Sequence, residues 1–159
     1  MDVAHILSAE SVHCETRARS KKHALELLSE ALAAASEVYN AEEIFEGLIQ
    51  RERLGCTGLG RSVAMPHARI EGLEESIGAF LRLSEAVDFD SADGEPVDLI
   101  FGLLVPAHCD DGQIKEVREL IEKLGDSELQ QRLHDAAEPA ELYNLLTESL
   151  TIIHKTLTA

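Results

Sequence analysis

The sequence predicts an α/β layered domain in which a central sheet is covered by helices on both faces. Three observations carry that expectation. Residues 20–53 are apolar at helical spacing, residues 63–105 hold short or nearly continuous apolar runs, and helical spacing returns from 114 to 150. The length of 159 residues fits one domain spanning 1–159, with 150–159 as a tail. A 45% hydrophobic share with 28% charge is that of a folded chain rather than a disordered one. Four Phe, two Tyr and no Trp leave the core to Leu, Ile, Val and Ala.

The opening residues 5–15, with Ile6-Leu7 and Val12-His13-Cys14, are too short to assign. Ser20 is placed to cap a helix whose stripe is Leu25, Leu28 and Leu32 with Ala24, Ala31 and Ala35. Asn40 followed by Glu43 has the spacing of a capping box, and Ile44, Phe45, Leu48 and Ile49 continue a helix to about Arg53. Residues 54–60 then read as a glycine-rich loop, and Val63–Pro66 as a short strand ended by proline. Strands follow at 77–83 and 97–105; the second is almost wholly apolar, as a strand buried on both faces must be. Asp88 to Pro96, containing Asp93-Gly94, is the loop between them. Ile114, Val117, Leu120, Ile121 and Leu124 mark one helix, Asp126 caps another over about 127–136, and Pro139 opens a last one to about Leu150.

Charge and cysteine content narrow the function classes. Thirty acids against fourteen bases give −16, the wrong sign for a nucleic-acid partner or an anionic membrane surface. No window approaches the roughly 18 apolar residues of a membrane span. The N-terminus lacks a signal-peptide pattern. Cys14, Cys56 and Cys109 contain no CxxC pair, which disfavours a zinc ribbon or dithiol redox motif and suits a reducing, cytosolic setting.

Of the seven histidines, His67 stands apart. It follows Pro66 at a strand end, and residues 51–69 carry four arginines and one acid, a formal +3 within a chain of −16. A basic pocket around one imidazole suits an anionic reactant such as a phosphoryl group. Neutral imidazole is also a competent nucleophile. A hydrogen-bonded structural histidine is the plain alternative. The Gly55-x-x-Gly58-x-Gly60 loop matches no nucleotide-binding fingerprint. Cys56 as a thiol nucleophile lacks a visible base, and His108-Cys109-Asp110-Asp111 lacks the spacing of a metal site.

The block Arg51-Glu52-Arg53-Leu54-Gly55-Cys56-Thr57-Gly58-Leu59-Gly60-Arg61-Ser62-Val63-Ala64-Met65-Pro66-His67-Ala68-Arg69 closely resembles the active-site signature of fructose/mannitol-type enzyme IIA domains of the bacterial phosphotransferase system. Ile6–Val12 and Ser20–Leu25 point to its nitrogen-regulatory branch, and the resemblance covers about residues 5–149. It implies a three-layer α/β/α domain with a mixed sheet that carries phosphate on histidine, the donor being a small histidine phosphocarrier protein. His67 falls at the phosphoryl-acceptor position, Arg51 at the arginine facing the phosphoryl group, and Thr57 and Gly58 in the supporting loop. Cys56 stands where the family usually has Ser. A second histidine is often found at the start of the helix after the long apolar strand; here Gln113 occupies that position, with His108 five residues earlier.

The expectation is a cytoplasmic, phosphohistidine-carrying regulatory component with no cofactor and no metal, acting on other proteins through its phosphorylation state. Two rivals remain from other classes. One is a non-catalytic binding module of the same fold, and the other is a detached cytosolic domain of an anion transporter.

Overall fold

In the computed structural model, which describes residues 2–36 and 38–150, the helices opening at Lys21, Ala41, Asp111 and Ser127 begin directly after a residue whose side chain caps them. The elements run α1 (Val3–Ile6), a 3-10 turn (Ala9–Ser11), β1 (Val12–Thr16), α2 (Lys21–Ala34), α3 (Ala41–Leu54), β2 (Gly58–Gly60), β3 (Val63–Ala64), β4 (His67–Ile70), β5 (Ile77–Val87), β6 (Val97–Pro106), α4 (Asp111–Leu124), α5 (Ser127–Asp135) and α6 (Pro139–Leu150). Ser20 accepts from the His23 N–H, and Asn40 and Glu43 close a reciprocal capping box. The tail expected after Leu150 lies outside the described residues.

The sheet is mixed. Its strands lie in the order β1-β5-β6-β3-β2, with β4 also paired to β6. β5 and β6 are antiparallel, whereas β1 runs parallel to β5, and β3 and β4 run parallel to β6. Alternate residues of β6 feed two cores. Leu99, Phe101, Leu103 and Val105 pack with α4, α5 and α6; Ile100 and Leu104 pack with α2 and α3. This is the period-two consequence of burying one strand on both faces. Gly102 lets α2 come close, since a Cβ there would sit 2.6 Å from the Leu28 side chain.

Two sequence readings change. The opening segment supplies an edge strand, β1, and the glycine-rich stretch ends in a short strand, β2. Proline also does not end the pairing along β6. Val63 pairs with Leu99 and His67 with Leu103, so β3 and β4 keep one register along β6, interrupted only at Met65-Pro66. Pro66 lacks an N–H but still accepts from Leu103 N at 3.0 Å. A proline is tolerated there because it falls in the break between β3 and β4, one residue past the bond from Met65 N to the Thr57 carbonyl on the β2 side.

Candidate functional site

The break between β3 and β4 places His67 at the start of β4, half-buried, beside α3 and α4. Gly47, Gln50, Arg51 and Leu54 of α3 and Ile114, Val117, Arg118 and Ile121 of α4 line a cleft of about 560 Å³ together with His67, Arg69 and Cys109. Its charged side chains are Arg51, Arg69 and Arg118; among the described residues no acid lines it. The local positive charge read from 51–69 is thus gathered into one cleft, with Arg118 added from a distant part of the chain.

His67 Nδ1 lies 3.0 Å from the Met65 carbonyl oxygen. A carbonyl only accepts, so Nδ1 carries the proton of the neutral ring and Nε2 holds the lone pair. Burial holds the imidazole below the usual histidine range. The bond to Met65 works against this; Arg51 lowers the value further, Glu52 raises it, and Arg69 lowers it again. At neutral pH the ring is therefore uncharged, with a free nitrogen in a cationic surrounding.

Arg51 stands in the last turn of α3, where Nη1 donates to the Gly55 carbonyl at 2.9 Å. That bond leaves the rest of the planar guanidinium for an anion. Thr57 is buried and turned inward: its N–H and its hydroxyl both donate to the Glu52 carboxylate. The Gly58 N–H donates to the Cys56 sulfur at 3.2 Å, and a Cβ at Gly58 would lie 2.3 Å from Ser91 Oγ. The loop supports the cleft as a scaffold, and these two N–H groups are not available to a phosphoryl group.

A buried ion pair holds that scaffold. Lys21 Nζ lies 2.9 Å from Glu52, whose side chain is only 5% exposed. Lys21 also donates to the Phe89 carbonyl and sits 4.8 Å above the Phe89 ring. Cys56 Sγ donates to the same carbonyl at 3.1 Å. Cys56 is thereby a loop contact, and no imidazole is among its partners. Neither Lys21 nor Phe89 was legible as part of the site. Helix and loop residues so far apart in sequence carry no shared pattern.

The structure does not bring the two second-site candidates to His67. Gln113 closes the N-terminal box of α4, its Oε1 accepting from Asp110 N at 2.9 Å and its backbone N–H donating to Asp110 Oδ1 at 2.8 Å. It borders a different depression, with His5 and Glu74. His108 has a side chain 90% exposed and lies 3.7 Å from Glu71. The residue that α4 does present to the cleft is Arg118. The signal for it was the helical spacing of 114, 117, 118 and 121, where one charge interrupts an apolar stripe.

Comparison with known proteins identifies the family. The family described as phosphoenolpyruvate-dependent sugar phosphotransferase system, EIIA 2, matches residues 5–149. A nitrogen regulatory protein of Klebsiella oxytoca is 34% identical over 150 residues, covering 94% of this chain and 92% of that protein. One from Pseudomonas aeruginosa is 38% identical over 129 residues, covering 81% and 84%. The crystal structure of nitrogen regulatory protein IIA-Ntr from Neisseria meningitidis superposes with a TM-score of 0.84 at 34% identity, covering 91% of this chain and 98% of that one. On the family match, the identity to these relatives and the shared fold, the chain belongs to the EIIA 2 family of the phosphoenolpyruvate-dependent sugar phosphotransferase system, among its nitrogen regulatory members.

Proposed function

We propose that this chain accepts a phosphoryl group on Nε2 of His67 from the phosphohistidine of a small phosphocarrier protein, and that its phosphorylation state controls other proteins in the cytoplasm. The observation that supports this most directly is the 3.0 Å contact of Nδ1 with the Met65 carbonyl, which reserves the lone pair for Nε2 in a cleft lined by arginine. In the transfer, the N–P bond of the donor breaks as the Nε2–P bond forms. The donor nitrogen leaves with the electron pair, and the Nδ1 proton stays on its bond to Met65. No net proton transfer, metal or co-reactant enters the balance. Little covalent work is left to the protein, so position and charge govern the rate. Arg51 meets the group of roughly −2 charge, and Thr57 and Gly58 hold the loop on which Arg51 rests.

The chain acts in this reading as one enzyme IIA-type unit, without a cofactor. Incubation with phosphoenolpyruvate, enzyme I and the phosphocarrier, followed by intact-mass measurement, tests it. The expected result is a single added phosphoryl group, acid-labile and stable in base, lost in His67→Ala and kept in His108→Ala. Labelling that persists in His67→Ala overturns the assignment. No labelling of the wild type favours the rival, a module that signals by contact alone.

A further inference from the structure

The α4 side of the cleft differs from what the family resemblance implies, and the difference has a chemical consequence. A second imidazole near phospho-His67 can lend a proton and a charge. Here Gln113 carries no charge, and its side-chain oxygen is engaged in the α4 cap together with its backbone N–H. His108 faces solvent beside Glu71. Yet phosphorylation would place roughly −2 charges against the same helix. One turn farther along, Ile114, Val117, Arg118 and Ile121 form the cleft-lining stripe, and Arg118 is its single polar member. Among the described residues Arg118 takes part in no ion pair, so its guanidinium is uncommitted. Lys115, on the same helix, is exposed and does not line the cleft.

We propose that Arg118 is a phosphoryl-binding residue of this chain, closing on the oxygens of phospho-His67 from α4 and supplying there the charge that neither Gln113 nor His108 can. The proposal rests on phosphoryl acceptance at His67. A long side chain with a planar five-donor fork is suited to the task, because it bridges a cleft that a short imidazole would have to enter from the helix start. Arg51 grips from α3 and Arg118 from α4, so the phosphoryl group is held between the two helices that wall the cleft.

The test uses the full chain and two donors, the phosphocarrier and the small molecule phosphoramidate, from which ammonia leaves. Arg118→Ala should slow labelling of His67 by both donors about tenfold, less than the 10²–10³ expected for a fully enclosed donor. Arg118→Lys should recover part of the rate, since charge remains without the fork. Lys115→Ala, which removes the same charge from the same helix, should stay within about twofold. Phosphorus NMR of the labelled protein gives a readout that mere helix stability would not move. Loss of the Arg118 cation should raise the pKa of the phosphoryl oxygens in Arg118→Ala and leave it unchanged in Lys115→Ala. Equal rates and equal titrations in wild type and Arg118→Ala overturn the proposal. So does slowing with the phosphocarrier but not with phosphoramidate, which would make Arg118 a docking residue instead. A wild type that takes no phosphoryl group at His67 from either donor overturns the functional reading beneath it.

Discussion

Two clefts border the segment from His67 to Ile77, and they are opposite in charge. The one at His67 has about 560 Å³ and is lined by Arg51, Arg69 and Arg118. The other, about 770 Å³, lies between the N-terminal residues, the end of α2 and the β4–β5 loop; Glu10, Glu74 and Glu75 line it with His5. Size would choose the second, and chemistry chooses the first. In a chain of −16, three arginines without an acid among them are a local reversal of sign, whereas an acidic cleft only continues the background. The histidines differ likewise. His67 is half-buried with one nitrogen tied to a backbone carbonyl, while His5 is paired at 3.3 Å with Glu75, both largely exposed.

The largest effect that would sharpen this contrast is expected at Arg51. Arg51→Ala should slow phosphorylation of His67 by about 10²–10³, the loss typical of one charge-stabilising donor. Its thermal midpoint should move little, because the freed Gly55 carbonyl is exposed to water. Glu75→Gln, which alters the acidic cleft by one charge, should leave the rate within about twofold. Equal effects from both would mean that net charge, not the cleft, sets the rate.

A second contrast lies in the ion pairs. Lys21–Glu52 is buried beneath the glycine loop, whereas His5–Glu75 has side chains 67% and 76% exposed. Breaking the buried pair with Glu52→Gln should cost on the order of 2–4 kcal/mol, toward the lower part of the range for buried pairs because Lys21 remains 21% exposed. Glu75→Gln should cost no more than about 1 kcal/mol. Urea unfolding of both variants measures the difference, and comparable losses would deny the loop its anchor. Glu52→Gln should also lower the His67 pKa, since the carboxylate raises it, while Arg51→Ala should raise it.

The pH dependence follows from the same groups. With the His67 pKa held below its ordinary value, the neutral nucleophile predominates at pH 7, and the phosphorylation rate should fall as pH drops through the folded-state pKa. The stability sign is the same. The unfolded state binds the proton more readily, so this group costs stability as pH falls below about 6.5, down to the folded-state value. A rate that already falls at or above pH 7 would contradict the burial of the ring. The smallest expected effect is at Gln113. Gln113→Ala should remove half of the α4 capping box for about 0.5–1 kcal/mol and leave the labelling rate unchanged. A slowed rate at unchanged stability would return Gln113 to the site.

By itself the sequence determined the starts of α2, α3, α5 and α6, the two long strands and the 51–69 block that carries the family resemblance, because caps, apolar period and short motifs are local in the chain. Ser20, Asn40 and Asp126 each accept the bond expected of a cap. Only the tertiary structure decided that β3 and β4 share one register along β6, since the partner strand shows this and the proline conceals it. Edge strand β1 was likewise invisible, its five residues gaining strand identity from β5 beside them. The site divides in the same way. Arg51 and His67 lie within one motif, while Lys21, Phe89 and Arg118 come from three other elements and meet the loop or the cleft only on folding. Gln113 shows the converse: family register placed it near His67, but a capping box formed within its own helix turn claims the side chain. Local hydrogen bonds of that kind are satisfied before any distant group arrives, and position along a helix then determines which residue remains to face the cleft.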